Sequence, residues 1–196
     1  MTARFVYWMN VSLDLFIERA DGEQRADDWL RIDEQLHREF NDRAERLSMM
    51  VQGRVIYDLM DPFWPNARAD ESLRGYLREY GGIWTDMPKV LVSRTRRTAS
   101  HNTTILGGAD AVYRLAELRR TSDGDIGVGG ATLATALLRA HLLDELLLFT
   151  HPVVLGAGRS LFDGLDEPLQ LDLLEQKSFT SGVTMHRYAA RAAAGN

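Results

Sequence analysis

The chain has 196 residues, of which 45% are hydrophobic and 26% are charged, and its formal net charge is −5 at pH 7. This composition is typical of a globular protein with a core, and it excludes wholesale disorder, collagen and coiled coil. The acidic balance argues against a general nucleic-acid binder, and the absence of cysteine excludes disulfides, thiolate catalysis and cysteine metal sites. The length predicts a single domain over residues 1–196.

Neither the N-terminus nor any apolar run carries a targeting or membrane signal. Residues 1–14 lack a basic stretch followed by an apolar run and a small-residue cleavage site, so we expect no signal peptide. Charged residues interrupt each apolar stretch well short of the roughly 18 residues that a membrane span needs. We therefore expect a cytoplasmic protein with no membrane or nucleic-acid partner.

The first third of the chain predicts two strands around one long helix. Residues 5–11 form an apolar and aromatic run that predicts a buried strand, and residues 12–25 predict a loop that turns at Asp21-Gly22. Apolar residues at steps of three and four predict an amphipathic helix from Trp29 to Leu47. A short strand at 48–52 and a rigid, proline-rich loop at 61–65 follow.

The rest of the chain continues the alternation and then ends in strands. We predict strands at 89–93, 103–106 and 125–128, helices starting at Asp110 and covering 131–140, and strands at 144–156, 169–179 and 183–188. Pro152 suggests a bulge, bend or edge in the first of these last strands, Ser181-Gly182 is a turn, and the tail 189–196 is expected to fray. The pattern predicts an α/β fold with a mainly parallel central sheet and an antiparallel C-terminal edge.

Three segments at the carboxyl ends of predicted strands have the chemistry of anion sites. Residues 127–132 place bare glycine backbone before a helix N-terminus, which suits a phosphate but also suits a plain tight turn. Gly53-Arg54 offers a guanidinium at a similar junction, or a solvated arginine. Residues 93–97 combine a hydroxyl with three arginines, which suits a phosphomonoester, or form an ordinary basic loop. Their shared position predicts several anion sites on one rim.

Two carboxylates are candidates for acid–base chemistry. Asp33 and His37 are spaced i, i+4 beside the apolar stripe of the predicted helix, where burial favours the protonated acid, or they form a surface pair. Asp14 leaves the first strand and is either a second candidate or the start of an Asx turn. The histidines have no metal-ligand spacing, and no nucleophile elbow is present, so we expect neither a metal nor a hydrolase triad.

The chain resembles the dihydrofolate-reductase-like proteins that include the C-terminal reductase domain of bacterial riboflavin biosynthesis. The matching motifs cover nearly the whole chain and lie at residues 11–14, 53–57, 62–65, 88–95, 125–162 and 182–188. The resemblance implies a three-layer fold that binds NADPH. The sequence departs from the family pattern at Leu15, where glycine is usual, and at Ile56, where threonine is usual. These departures are expected to alter loop closure and to remove a hydroxyl from the phosphate site.

The resemblance also implies roles for the candidate residues. The phosphate cradle would comprise Gly53, Arg54, Gly129, Gly130, Ala131 and Thr132. Ser93 and Arg94 would read the adenosine 2′-phosphate, and residues 14–18 would form the loop near the nicotinamide. We assign Tyr57 and His37 to the substrate side and choose Asp33 as the proton donor, with His37 able to tune or replace it and Asp14 in reserve.

These expectations predict an NADPH-dependent reductase of a small heterocyclic or carbonyl substrate. The nearest chemistry is reduction of the riboflavin aminopyrimidine, with dihydrofolate second, and since no deaminase segment precedes the domain we do not expect the bifunctional enzyme. The alternatives are a non-catalytic NADP(H)-binding protein that retained the fold, or a purely structural dimer. The apolar run 142–154 predicts a homodimer, although a buried parallel strand has the same pattern.

Overall fold

The computed structural model describes residues 3–20, 28–165 and 167–191. The strands are β1 Phe5–Ser12, β2 Phe16–Arg19, β3 Met49–Gly53, β4 Lys89–Val92, β5 Thr103–Leu106, β6 Ile126–Gly129, β7 Leu143–His151, β8 Gly158–Ser160, β9 Leu171–Ser178 and β10 Thr184–Ala190. The helices are α1 Glu34–Ala44, α2 Arg54–Met60, α3 Trp64–Ala67, α4 Gly75–Asp86, α5 Ala111–Thr121 and α6 Ala131–Arg139.

An eight-stranded sheet in the order β5-β4-β3-β6-β1-β7-β10-β9 forms the centre of the fold. Neighbours from β5 to β7 are parallel, while β10 is antiparallel to both β7 and β9. The predicted parallel sheet with an antiparallel C-terminal edge is therefore confirmed. Because β3, β4, β5 and β6 are parallel neighbours, their carboxyl ends meet at one edge, which is where ligands bind in open α/β sheets.

Hydrophobic clusters cover both faces of the sheet and make three layers. Alternation along β1 sends Phe5 and Tyr7 to the cluster beneath α5 and α6, and Val6 and Trp8 to the cluster beneath α1 and α4. Leu137 of α6 is fully buried on the first face. The central strands β1, β6 and β7 are thus buried on both sides, as their apolar runs predict, whereas the edge strand β9 is largely exposed.

The helix predicted from Trp29 to Leu47 is shorter in the structure. It begins at Glu34 because Asp33 is an extended N-cap residue whose Oδ1 accepts a hydrogen bond from the Leu36 N–H at 2.9 Å. Trp29 packs against His151 instead, with ring centroids 5.5 Å apart. The apolar spacing continues past both ends of the helix, so the prediction of its length was wrong.

Several loop and strand boundaries also differ from the predictions. Residues 16–19, predicted as loop, form β2, which pairs with the unpredicted strand β8. Strand β7 ends at His151 instead of continuing through Pro152, because proline has no N–H for a sheet ladder. α3 begins inside the predicted rigid loop, and residues 189–190 belong to β10 instead of a frayed tail. The predicted Asp21-Gly22 turn and residues 192–196 lie outside the described residues.

The apolar run that suggested a dimer is buried within one chain. Leu143, Leu146, Leu147, Leu148 and Phe149 of β7 are each at most 5% exposed. A strand covered by helices on both faces explains their hydrophobicity, so the homodimer stays a prediction without support from this run. No helix in the described parts of the chain is long and apolar enough to cross a membrane.

Candidate functional site

A cleft of about 570 Å³ opens where β3, β4, β5 and β6 end. Its walls come from residues 53–56, 92–95, 106–108 and 130–133, together with one face of α5 and Arg159 of β8. Each of the first four segments follows or ends a strand of the parallel sheet. The turns after β3, β4, β5 and β6 therefore meet at the cleft, because these four strands are neighbours in the sheet.

The three predicted anion segments meet in this cleft. Gly53 and Arg54, Ser93 and Arg94, and Gly130, Ala131 and Thr132 all line it. Gly129 lies one residue back in β6, where an added Cβ would come within 3.3 Å of Ile56 Cγ2. The sequence prediction that these segments share one rim is met by the geometry.

The glycine loop presents the start of α6 to the cleft. Gly130 has a φ of +104°, a conformation that L side chains rarely adopt. The first intrahelical bond runs from the Ala134 N–H to the Gly130 carbonyl at 3.0 Å, so the earlier N–H groups of α6 have no carbonyl within the helix. A helix beginning in this way can bind a phosphate.

The arginine-rich loop after β4 is shaped by Ser93. The Ser93 Oγ accepts hydrogen bonds from the N–H groups of Thr95 at 3.3 Å and Arg96 at 3.1 Å. This turn leaves Arg94 exposed at the cleft, whereas Arg96 turns back to pair with Asp58 at 3.2 Å. Asp58 also pairs with Arg54 at 2.9 Å and holds that side chain beside the cleft.

Every charged residue among the described lining residues is an arginine. These are Arg54, Arg94 and Arg159, and no aspartate or glutamate joins them in the wall. Three guanidiniums with no carboxylate among the described wall residues make the cleft locally positive in a chain of net charge −5, and a positive cleft attracts anions.

Sequence reasoning missed two parts of the cleft. Gly107 and Gly108 follow β5, and an added Cβ at Gly107 would lie 2.9 Å from the Ser93 carbonyl oxygen. Their signal was present, since a glycine pair between a strand and a helix repeats the pattern of Gly129-Gly130. Arg159 had no such signal, because it reaches the cleft only through the pairing of two short strands.

Asp14 does not line the cleft and instead fixes a loop. Its Oδ1 accepts hydrogen bonds from the Ser12 hydroxyl at 2.6 Å and from the Leu155 N–H at 3.1 Å, and its Oδ2 accepts one from the Gly156 N–H at 2.8 Å. The Ser12 hydroxyl leads these interactions in lowering the pKa of Asp14 to about 2. An ionised carboxylate of this kind is a poor proton donor near neutral pH, so its structural role outweighs the predicted one.

Asp33 and His37 do not form the predicted pair. The Asp33 carboxylate caps α1 and accepts a hydrogen bond from the Thr180 hydroxyl at 3.0 Å, and it is half-exposed instead of enclosed by the core. The His37 ring is buried against Trp64, Tyr76 and other aromatic rings, and its Nδ1 lies 3.1 Å from the Asn41 Oδ1. Burial lowers the pKa of His37.

Tyr57 of α2, predicted to bind substrate, is fully buried in the core between the sheet and the helices α1 and α4. Its hydroxyl lies 3.2 Å from both the Asp61 carboxylate and the Ser100 carbonyl. Neither Tyr57 nor His37 lines the cleft, and their assignment to the substrate side stays a prediction. The described residues contain no group of histidine and carboxylate side chains that could hold a metal ion.

Comparison with known proteins gives one family and one fold. The family model of the RibD C-terminal domain matches residues 5–185. The uncharacterized protein YyaP of Bacillus subtilis is 28% identical over 186 residues, 94% of each chain. RibD of Acinetobacter baumannii is 18% identical with a TM-score of 0.66, over 97% of this chain and 58% of that one. Dihydrofolate reductase of Enterococcus faecalis, solved with NADP(H), is 9% identical with a TM-score of 0.62, over 98% and 100%. The fold is dihydrofolate-reductase-like.

Proposed function

The chain belongs to the RibD C-terminal domain family, and we propose that it is an NADPH-dependent reductase of a small heterocyclic or carbonyl substrate. The observation that carries the proposal is the cleft, in which three strand ends bring glycine backbone, a helix start and only cationic charges together. A dinucleotide with a diphosphate and a separate phosphate needs several anion sites on one rim. The Enterococcus faecalis reductase of the same fold was solved with NADP(H), which supports this choice of cofactor.

The residues present fit the cofactor in type and position. The positive φ of Gly130 and the start of α6 suit a diphosphate, with Arg54 beside them. Ser93 and Arg94 at the end of β4 suit the 2′-phosphate, because a guanidinium and a hydroxyl bind a phosphomonoester well. NADPH, when bound, supplies a hydride to the substrate.

None of the described residues that line the cleft is a carboxylic acid that could donate the proton accompanying the hydride. Asp14 is ionised and engaged by backbone N–H groups, and Asp33 caps a helix. We therefore propose bound water as the proton source, and a role for Asp33 stays a prediction. The family favours an aminopyrimidine of the riboflavin type as substrate, with dihydrofolate second.

The alternative is a non-catalytic NADP(H)-binding protein that retained the fold. The absence of a carboxylic acid from the described cleft wall favours it, as does Leu15 in the loop expected near the nicotinamide. Both functions predict cofactor binding, and only the first predicts consumption.

Two measurements test the proposal. Isothermal titration with NADPH should give saturable binding to one site, and NADPH absorbance at 340 nm should fall when aminopyrimidine, pterin or carbonyl compounds are added. Binding without oxidation of NADPH by any of these compounds would favour the non-catalytic alternative. Failure of the wild-type protein to bind NADPH would refute both.

A further inference from the structure

Two segments far apart in sequence form one unit beside the cleft, and we call residues 13–19 and 153–160 the flap. Strands β2 and β8 pair antiparallel within it, with Phe16 opposite Ser160 and Glu18 opposite Arg159. The Leu13 N–H donates to the Val153 carbonyl at 2.8 Å at one end of the unit. The flap contains the loop that the family resemblance places near the nicotinamide.

The two halves of the flap are joined by more than their ladder. Asp14 accepts hydrogen bonds from the N–H groups of Leu155 and Gly156, so a carboxylate in one half of the flap is the acceptor for two backbone donors in the other half. An added Cβ at Gly158 would lie 1.9 Å from the Glu18 carbonyl oxygen, which shows how closely the two backbones approach. Because of these contacts, the halves are expected to move together.

Arg159 connects the flap to the cleft. Its guanidinium lines the cleft, and its Nη2 donates to the Thr132 Oγ1 at 2.5 Å, in the first turn of α6. No carboxylate in the described part of the chain forms an ion pair with Arg159, in contrast to Arg54 and its partner Asp58. The half-buried Arg159 guanidinium therefore donates to a neutral hydroxyl and not to a carboxylate. The first N–H groups of α6, which have no acceptor within the helix, lie close to it.

We infer that Arg159 binds the diphosphate of the cofactor and thereby fastens the flap over it. A phosphate oxygen at the start of α6 would replace the neutral Thr132 hydroxyl as acceptor. A guanidinium and a phosphate are oppositely charged and can form two parallel hydrogen bonds, which a single hydroxyl cannot. Cofactor binding would then hold the flap, including the loop that carries Asp14, before substrate arrives. This inference rests on the proposed function and assigns it a residue from outside the predicted phosphate segments.

The proposed roles of Arg159 and Arg94 differ in which cofactor affinity each substitution should change. NADPH and NADH share the diphosphate, so Arg159→Met should weaken both equally, by roughly tenfold to a hundredfold in Kd. Arg159→Lys should recover part of the loss, because an ammonium still contacts a phosphate as a point charge. Arg114→Met is the matched control, since Arg114 is exposed on α5 and does not line the cleft.

Titration calorimetry with both cofactors is combined with hydrogen–deuterium exchange of peptides covering residues 13–19 and 153–160. Saturating NADPH should slow exchange in both segments of the wild-type protein and of Arg114→Met, but much less in Arg159→Met. Thermal melts of the free proteins establish that the variants are folded. Wild-type affinity in Arg159→Met, or a loss confined to NADPH, would overturn the inference while leaving the proposed function intact. Absence of NADPH binding to the wild-type protein would refute the two together.

Discussion

Arg94 and Arg97 are exposed arginines of one loop, but only Arg94 lines the cleft. If Arg94 binds the 2′-phosphate, Arg94→Ala should raise the Kd for NADPH by roughly tenfold to over a hundredfold, because a charge-assisted contact contributes about 1.5–3 kcal/mol. The Kd for NADH, which lacks this phosphate, should change little. Titration with both cofactors measures the difference, and Arg97→Ala is the control. Equal losses for the two cofactors would refute the role.

Leu15 adopts a left-handed backbone conformation, with φ of +61°, in the flap. An L residue there costs roughly 1–2 kcal/mol, whereas glycine loses about 0.5–1 kcal/mol of chain entropy on folding. Leu15→Gly should therefore stabilise the protein by about 0.5–1 kcal/mol in urea unfolding. The nearby Leu13 is exposed and does not have a positive φ, so Leu13→Gly should destabilise. A loss of stability in Leu15→Gly would show that the Leu15 side chain compensates for the strain.

The sequence predicted the positions of the glycine and arginine segments better than it predicted the surroundings of the candidate acids Asp14 and Asp33. Glycine and arginine directly after a strand are local signals, and the parallel sheet then brings Gly130, Arg54 and Arg94 together. The role of a carboxylate depends on what surrounds it in three dimensions. Asp14 meets N–H groups from a segment about 140 residues away, which no local pattern contains.

At the scale of elements, burial decided which predictions were right. Strands β1, β3, β4, β5 and β6 were predicted within one residue at each end, whereas β7 ends five residues before the predicted end. β2 and β8 are short, half-buried and stabilised by each other, so neither carries a pattern of its own. The sequence did not predict α4. Its Gly81 packs closely against α3, where an added Cβ would lie 2.7 Å from the Trp64 carbonyl oxygen, and such a contact between helices leaves no local sequence pattern.

The start of α1 gives a test that separates folding from chemistry at Asp33. Asp33→Ala removes the cap and should cost about 1 kcal/mol, whereas Asp33→Asn keeps a capping oxygen and most of the stability. A loss of turnover in the stable Asn variant would then report on proton donation, for which the sequence predicts roughly 10²–10⁴. Urea unfolding and NADPH oxidation are measured on both variants. Full turnover in Asp33→Asn across the pH range would leave Asp33 as a cap only.

At the scale of the whole molecule, His151 ties the chain entering α1 to the end of β7. It is fully buried, its Nδ1 accepts a hydrogen bond from the Arg31 N–H at 2.9 Å, and its Nε2 lies 3.0 Å from the Asn10 Oδ1. The Nδ1 must stay unprotonated to accept, so the ring is neutral and its Nε2–H donates to Asn10. The sequence did not single out this histidine for any role, because its partners converge only in the folded chain.

This geometry predicts that the folded protein loses stability as the pH falls below 6.5. Burial, aided by the charge of Arg31, lowers the pKa of His151 from 6.5 to about 4. Between these values the unfolded chain binds a proton that the folded protein excludes, so the free energy of unfolding decreases as the pH falls through this window. The full contribution is about 3 kcal/mol, since one pKa unit corresponds to about 1.4 kcal/mol. The depressed pKa of Asp14 acts only at lower pH, because its reference value is 3.8.

Urea unfolding at pH 7, 6 and 5 measures this loss in the wild-type protein and in His151→Gln. Glutamine can accept from the Arg31 N–H and donate to Asn10 but does not titrate, so this variant should lose about 2 kcal/mol less than the wild type between pH 7 and pH 5. His37→Gln is the matched control, because burial also lowers the pKa of His37 and its share of the slope must be separated. If His151→Gln and the wild type lose stability in parallel, the imidazole is not the group that titrates. The hydrogen bonds of His151 to Arg31 and Asn10 would then not depend on pH in this range.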